Sequence, residues 1–131
     1  MVLENRVPRG LEIDADSEQL FRVLLNLLSN ARQALVSMKT DATREKRIRI
    51  EAWRKGDTVV VEIADNGSGI PPAIRERLFL PFAGSTRAGG SGLGLAISRE
   101  LVQALGGELV LVSTCENGTR FRLTVPDRRS S

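Results

Sequence analysis

The chain has 131 residues, 41% of them apolar and 27% charged, with a formal net charge of +3. That length supports one domain, residues 1–131, able to bury about two-thirds of its unfolded surface, and the composition is that of an ordinary soluble globular protein. Histidine is absent and Cys115 is the lone cysteine, which excludes imidazole catalysis, a phosphohistidine within the chain, an internal disulfide and a cysteine metal cluster.

Four Phe, one Trp and no Tyr supply no stacking platform. The basic residues are scattered among acids, with small clusters only at 44–47 and Arg128-Arg129, so no nucleic-acid partner is expected. No apolar run nears the ~20 residues of a membrane span, and the N-terminus lacks the apolar region of a signal peptide. The expectation is a cytoplasmic setting without membrane contact, any anchor belonging to another part of a longer parent.

In chain order, residues 2–7 and 11–13 read as short strands either side of a Pro8-Arg9-Gly10 turn. Asp16 is a candidate N-cap for a helix of about five turns, carried by Leu20, Val23, Leu24, Leu27, Leu28, Ala31, Ala34, Leu35 and Met38 at helical spacing. A polar connector at 39–46 leads to two strands. Ile48, Ile50 and Ala52 alternate with charged residues and, after a Lys55-Gly56-Asp57 turn, Val59, Val61 and Ile63 do the same. Residues 65–92 are rich in Gly, Pro and Ser, interrupted by a short helix near 72–79. A helix then runs from about Gly92 to Leu105 and stops at Gly106-Gly107. A closing hairpin carries Leu109, Leu111 and Ser113, a Glu116-Asn117-Gly118 turn, and Phe121, Leu123 and Val125. The predicted fold is a two-layer α+β sandwich: a mixed, mostly antiparallel sheet of about five strands with about three helices on one face.

A compact domain rarely carries a segment like 65–92 unless it binds something. Four motifs give that idea content. Asn26, Asn30 and Gln33 fall at i, i+4 and i+7 on one helix face. Asn is a poor helix former, and an amide offers a neutral oxygen to a hard cation such as Mg²⁺ and its N–H₂ to phosphate; the bland alternative is a polar helix edge satisfied by water. Asp65-Asn66-Gly67-Ser68-Gly69-Ile70-Pro71 follows a strand, where a carboxylate can accept a hydrogen bond from an exocyclic amine and glycines admit close backbone approach; alone, it also reads as a plain turn. Gly89-Gly90-Ser91-Gly92-Leu93-Gly94-Leu95 runs into a helix N-terminus, either a linker or a cradle of N–H groups for an anion. Leu78-Phe79-Leu80-Pro81-Phe82 precedes Gly84-Ser85-Thr86-Arg87; its aromatics pack a loop or anchor a lid from which Arg87 reaches phosphate.

In order and spacing these four segments resemble the asparagine box, first glycine box, phenylalanine box and second glycine box of the histidine-kinase catalytic domain. Its nucleotide fold (the Bergerat fold) is shared with gyrase, and the resemblance spans about Leu11 to Pro126. Residues 78–97 look most like the short-lid kinases of the nitrogen-regulation type in bacterial two-component signalling. The resemblance implies that Asn30 ligands Mg²⁺ with Asn26 close by, and that Asp65 accepts the adenine amino group. It further implies that Gly67, Gly69 and Ile70 shape the adenine pocket, and that Gly90, Gly92 and Gly94 let the lid pass over the phosphates with Leu93 and Leu95 behind. Thr119 backs Asp65, and Gln33, Phe82, Ser85, Thr86 and Arg87 belong to the ATP site. Three positions depart from the family pattern: Gln33 where Lys is common, Leu80 where an acid is common, and Ala83 where an aromatic is common.

Relatives that hydrolyse ATP carry glutamate at position 26 as general base; an amide there cannot take a proton. The implied activity is therefore transfer of the γ-phosphoryl group of ATP to a histidine on an upstream dimerisation domain, and indirectly to a response regulator. The isolated chain is expected to be monomeric and inactive as an autokinase. The alternative reading is a nucleotide-binding sensor or degenerate kinase with a conformational output.

Overall fold

The computed structural model describes residues 2–7, 17–36, 45–67, 69–75, 78–79 and 94–126. Its strands are β1 (Val2–Arg6), β2 (Arg47–Lys55), β3 (Thr58–Asp65), β4 (Glu108–Cys115) and β5 (Gly118–Pro126); its helices are α1 (Ser17–Val36), α2 (Pro72–Arg75) and α3 (Gly94–Ala104). The strands form one sheet in the order β1-β2-β3-β5-β4. β1 pairs parallel with β2, and every other pairing is antiparallel, so the sheet is mixed and mostly antiparallel, as the alternating segments predict.

Periodicity decides which faces are buried. On α1, Val23, Leu27, Ala31, Ala34 and Leu35 recur at helical spacing and are all buried, one stripe of a helix about 30 Å long. They meet Ile48 and Ala52 of β2, Val59, Val61 and Ile63 of β3, Leu109 of β4 and Phe121, Leu123 and Val125 of β5 in one core, which Val102 of α3 joins. Two helices therefore form the layer over the sheet. Of the short helix expected near 72–79, the described part is the single turn Pro72–Arg75, and Leu78 and Phe79 lie in a turn; Pro72 sits at its first position, where a missing N–H costs nothing. The described part of the expected third covering helix is thus one turn. The strand predicted at 11–13 lies outside the described residues. No helix among the described residues is long and apolar enough to cross a membrane, because α1 is apolar on one stripe only.

The opposite face of the sheet is held by charge. Glu62, buried on β3, accepts a hydrogen bond from Arg122 Nε at 2.6 Å and lies 3.8 Å from Arg120 on the same neighbouring strand. At the sheet edge, Glu4 of β1 is bridged by Arg47 at 2.7 Å, Arg49 at 3.1 Å and Arg6 at 3.2 Å. The hydrogen bond from Arg49, with the charges of Arg47, Arg49 and Arg6, outweighs desolvation and holds the Glu4 carboxyl below its ordinary range.

Candidate functional site

Between α1, the end of β3 and the start of α3 lies a shallow, open recess. Leu27, Ala31, Ala34, Ile63, Ile70, Leu95 and Phe121 make its walls apolar, and three polar residues enter it: Asn30, Asp65 and Thr119. A mostly apolar concavity with a few placed polar groups is the usual form of a small-molecule site.

The loop after β3 builds one end. Asp65 Oδ1 accepts the Gly67 N–H at 2.9 Å, a bond from a carboxylate to its own turn. Asn66 fastens that turn to the start of β2: its Oδ1 accepts from Arg47 N at 2.7 Å and its Nδ2 donates to Glu45 O at 2.6 Å. Two glycines are required here. Gly69 has φ +87°, and a Cβ on it would lie 2.2 Å from the Cys115 carbonyl oxygen; a Cβ on Gly118 would lie 2.1 Å from the Asp65 carbonyl oxygen. The loop therefore lies flat on the β4–β5 hairpin. Ile70 is held there by its N–H, which donates to Thr114 Oγ1 at 2.8 Å, and by its carbonyl, which accepts from Arg75 Nε at 2.9 Å. Thr114 Oγ1 and Thr119 Oγ1 are 2.9 Å apart.

The three amides of α1 singled out by their spacing, Asn26, Asn30 and Gln33, have different fates. Asn26 Nδ2 donates to Ser98 Oγ of α3 at 3.1 Å, and Ser98 is fully buried. Gln33 is half-buried, engaged with another group, and does not line the recess. Asn30 does line it, and its Nδ2 is buried with no hydrogen-bond partner among the described residues. Leaving a buried donor unmade costs about 1–3 kcal/mol, so that amide is free for an acceptor that the described residues do not supply.

Of the site residues read from sequence, Asn30, Asp65, Ile70, Leu95 and Thr119 come together around one recess. Gly67 and Gly69 shape its loop, and Gly94 opens α3. Phe82, Ser85, Thr86, Arg87, Gly90, Gly92 and Leu93 lie outside the described residues. Phe79, from the phenylalanine-proline motif, packs edge-on to Phe121 at 6.4 Å and lies under Arg99 of α3 at 5.1 Å, anchoring the near end of that segment to a wall of the recess. Sequence reasoning missed Thr114 and Ser98. The hairpin turn at 116–117 sets Thr114 opposite Thr119, so the first was within reach of the turn; the Asn26–Ser98 pair, 72 residues apart, depends on how α1 packs against α3.

Residues 15–129 match the family described as histidine kinase-, DNA gyrase B-, and HSP90-like ATPase, and the chain belongs to it. Its relatives lie on the histidine-kinase side. It is 36% identical over 126 residues to the nitrogen regulation protein NtrY of Azorhizobium caulinodans, covering 95% of this chain and 16% of that protein. Against the sensory histidine kinase/phosphatase NtrB of Salmonella typhimurium it is 36% identical over 124 residues, covering 90% and 34%. The chain thus spans about a third or less of the length of these relatives. Among solved structures, full-length ShkA in complex with AMPPNP superposes with a TM-score of 0.76 at 29% identity, covering 96% of this chain and 26% of that one. The mycobacterial sensor histidine kinase MprB gives a TM-score of 0.75 at 29% identity, covering 97% and 84%. This is an ATP-binding catalytic domain of the sensor histidine kinase type.

Proposed function

We propose that this chain holds ATP·Mg²⁺ in the recess and presents the γ-phosphoryl group to a histidine of a separate, upstream dimerisation domain, from which a response regulator is served in turn. The observation that carries this reading is the polarity of the recess. Asp65 and Thr119 stand at the sheet end, where an adenine can be read by its edge, while Asn30, one wall away on α1, offers an unpartnered amide. The apolar walls exclude water from the base.

The donor set fits a hard cation and its phosphates: the Asn30 oxygen is a ligand type that Mg²⁺ accepts, and the unpaired N–H₂ suits a phosphate oxygen. Bound there, Mg²⁺ offsets negative charge on the phosphate oxygens during transfer. What the chain itself supplies is position. Asp65 accepts from the exocyclic amine, Ile70 and Phe121 line the recess beside it, and Asn30 holds the triphosphate end. Asn26 contributes no base, since an amide does not take a proton near neutral pH and its N–H₂ is committed to Ser98. With no histidine in the chain, acceptor and proton acceptor both come from the partner. Catalysis is then positioning and charge neutralisation.

Calorimetric titration with ATP, with and without Mg²⁺, together with a phosphate-release assay, tests the reading. Mg²⁺-dependent binding with turnover far below the ~1 s⁻¹ of an ordinary slow enzyme is expected. Hydrolysis near that rate by the chain alone would refute the role given to Asn26.

A further inference from the structure

We propose that Thr114 is a positioning residue for base selectivity: its hydroxyl fixes the Thr119 hydroxyl as a hydrogen-bond donor into the recess, beside the acceptor Asp65. The inference rests on the adenine-binding reading above and deepens it. Asp65, Thr119 and Thr114 stand in one row across three neighbouring strands, since Asp65 is the register partner of Thr119 and Thr119 that of Thr114. Thr114 itself lies outside the recess, behind Thr119.

The direction of the hydroxyl pair follows from counting hydrogens. A threonine hydroxyl has one hydrogen and two lone pairs. The Ile70 N–H takes one lone pair of Thr114 Oγ1 at 2.8 Å, and the only other polar group bonded to it among the described residues is Thr119 Oγ1 at 2.9 Å. If Thr119 donated, Thr114 would accept twice and its own hydrogen would be stranded in a part-buried site. With Thr114 donating, its hydrogen is used and that of Thr119 is released. Thr119 is 5% exposed and lines the recess, so the released hydrogen has the recess as its outlet. Because Ile70 is itself buried, at 3% exposure, its N–H keeps one lone pair of Thr114 occupied, and in the proposed arrangement Thr114 spends its hydrogen on Thr119.

The recess then offers an acceptor, Asp65, next to a donor, Thr119. Adenine presents the complement on one edge: the N6 amine donates and N1 accepts, directly or through one bridging water. Guanine presents the reverse, an accepting O6 beside a donating N1–H. A site built to make such bonds rejects an analogue that cannot make them.

The test uses ATP and 1-deaza-ATP, in which the N1 acceptor is replaced by C–H, titrated by calorimetry into the chain and its Thr114→Val and Thr114→Ser variants. Wild type is expected to bind 1-deaza-ATP about tenfold more weakly than ATP, the equivalent of one neutral hydrogen bond. In Thr114→Val the Thr119 hydroxyl rotates freely and the gap closes to within about threefold; Thr114→Ser keeps it open. A merely structural Thr114 would weaken both ligands alike, and a gap unchanged in Thr114→Val overturns the proposal. Should the valine variant fail to fold, hydroxyl-proton NMR on the wild-type chain decides: a Thr114 hydroxyl proton directed at Thr119 supports the assignment, and the reverse overturns it. Absence of ATP binding by wild type would overturn this proposal and the nucleotide reading together, whereas a gap surviving Thr114→Val overturns this one alone.

Discussion

Replacing Asn30 by leucine separates what the fold needs from what the site needs. Among the described residues the Asn30 Nδ2 is buried without a partner, a cost of about 1–3 kcal/mol. Leucine is also the better helix former at this interior position of α1, by about 0.5 kcal/mol. Its slightly larger side chain enters the recess beside Leu27 and Ala31 instead of a closed core, so overpacking is avoided. The sum is a stabilisation of about 1–3 kcal/mol, which in a domain of this size raises Tm by about 4–11 °C. Asn30→Leu is therefore expected to melt higher than wild type without nucleotide, while losing Mg²⁺-dependent ATP binding below detection. Differential scanning calorimetry and titration calorimetry on the same samples read both. A variant that melts lower would show that the amide is not orphaned, and one that still binds ATP in a Mg²⁺-dependent way would show that it is not a site residue.

Asp65→Ala should abolish nucleotide binding heat with the far-ultraviolet circular dichroism unchanged; micromolar affinity retained would mean the adenine end is misplaced. Gly69→Ala forces a Cβ against the Cys115 carbonyl at φ +87° and should cost about 2 kcal/mol or more and weaken ATP binding together, whereas an unchanged melting curve would contradict the flat packing of that loop. Glu4→Gln bears on the arginine cluster at the sheet edge. The Glu4 carboxyl is lowered in the folded state, so its contribution is present above its unfolded pKa and is lost as pH falls through the folded one. Wild type should melt modestly higher than Glu4→Gln near neutral pH, with the two curves converging on acidification; a difference that grows in acid would contradict the assigned pairing.

The sheet was legible from sequence because its strands alternate strictly: Val59, Val61 and Ile63 point to the helices, and the two hairpin turns set their own registers. Helix α1 was legible for the same reason at period 3.6. That Asp65 and Ile70 would meet Asn30 was legible only from the four motifs together, since an aspartate and glycines after a strand also read as a plain turn. Spacing could not tell Asn26 from Asn30. Both lie on the same face, yet one bonds a serine 72 residues away while the other is left open, a difference made by the packing of α1 on α3. Thr114 escaped notice because a threonine near a hairpin end looks like ordinary strand chemistry, and its importance comes from the Ile70 N–H arriving from another loop. The described part of the third helix is one turn; an apolar pattern at 72–79 does not distinguish a helix from a turn followed by Leu78 and Phe79 packing inward.

In the proposed function this chain is half of an active site, holding ATP while lacking both acceptor and base. Incubating it with γ-phosphate-labelled ATP and Mg²⁺, alone and with the histidine-bearing domain of its parent kinase, tests that most directly. The prediction is no labelled protein and no appreciable phosphate release from the chain alone, and label on the partner in an acid-labile, base-stable form when both are present. Tight ATP binding with no phosphohistidine on the partner would contradict it and leave the chain a nucleotide-binding module.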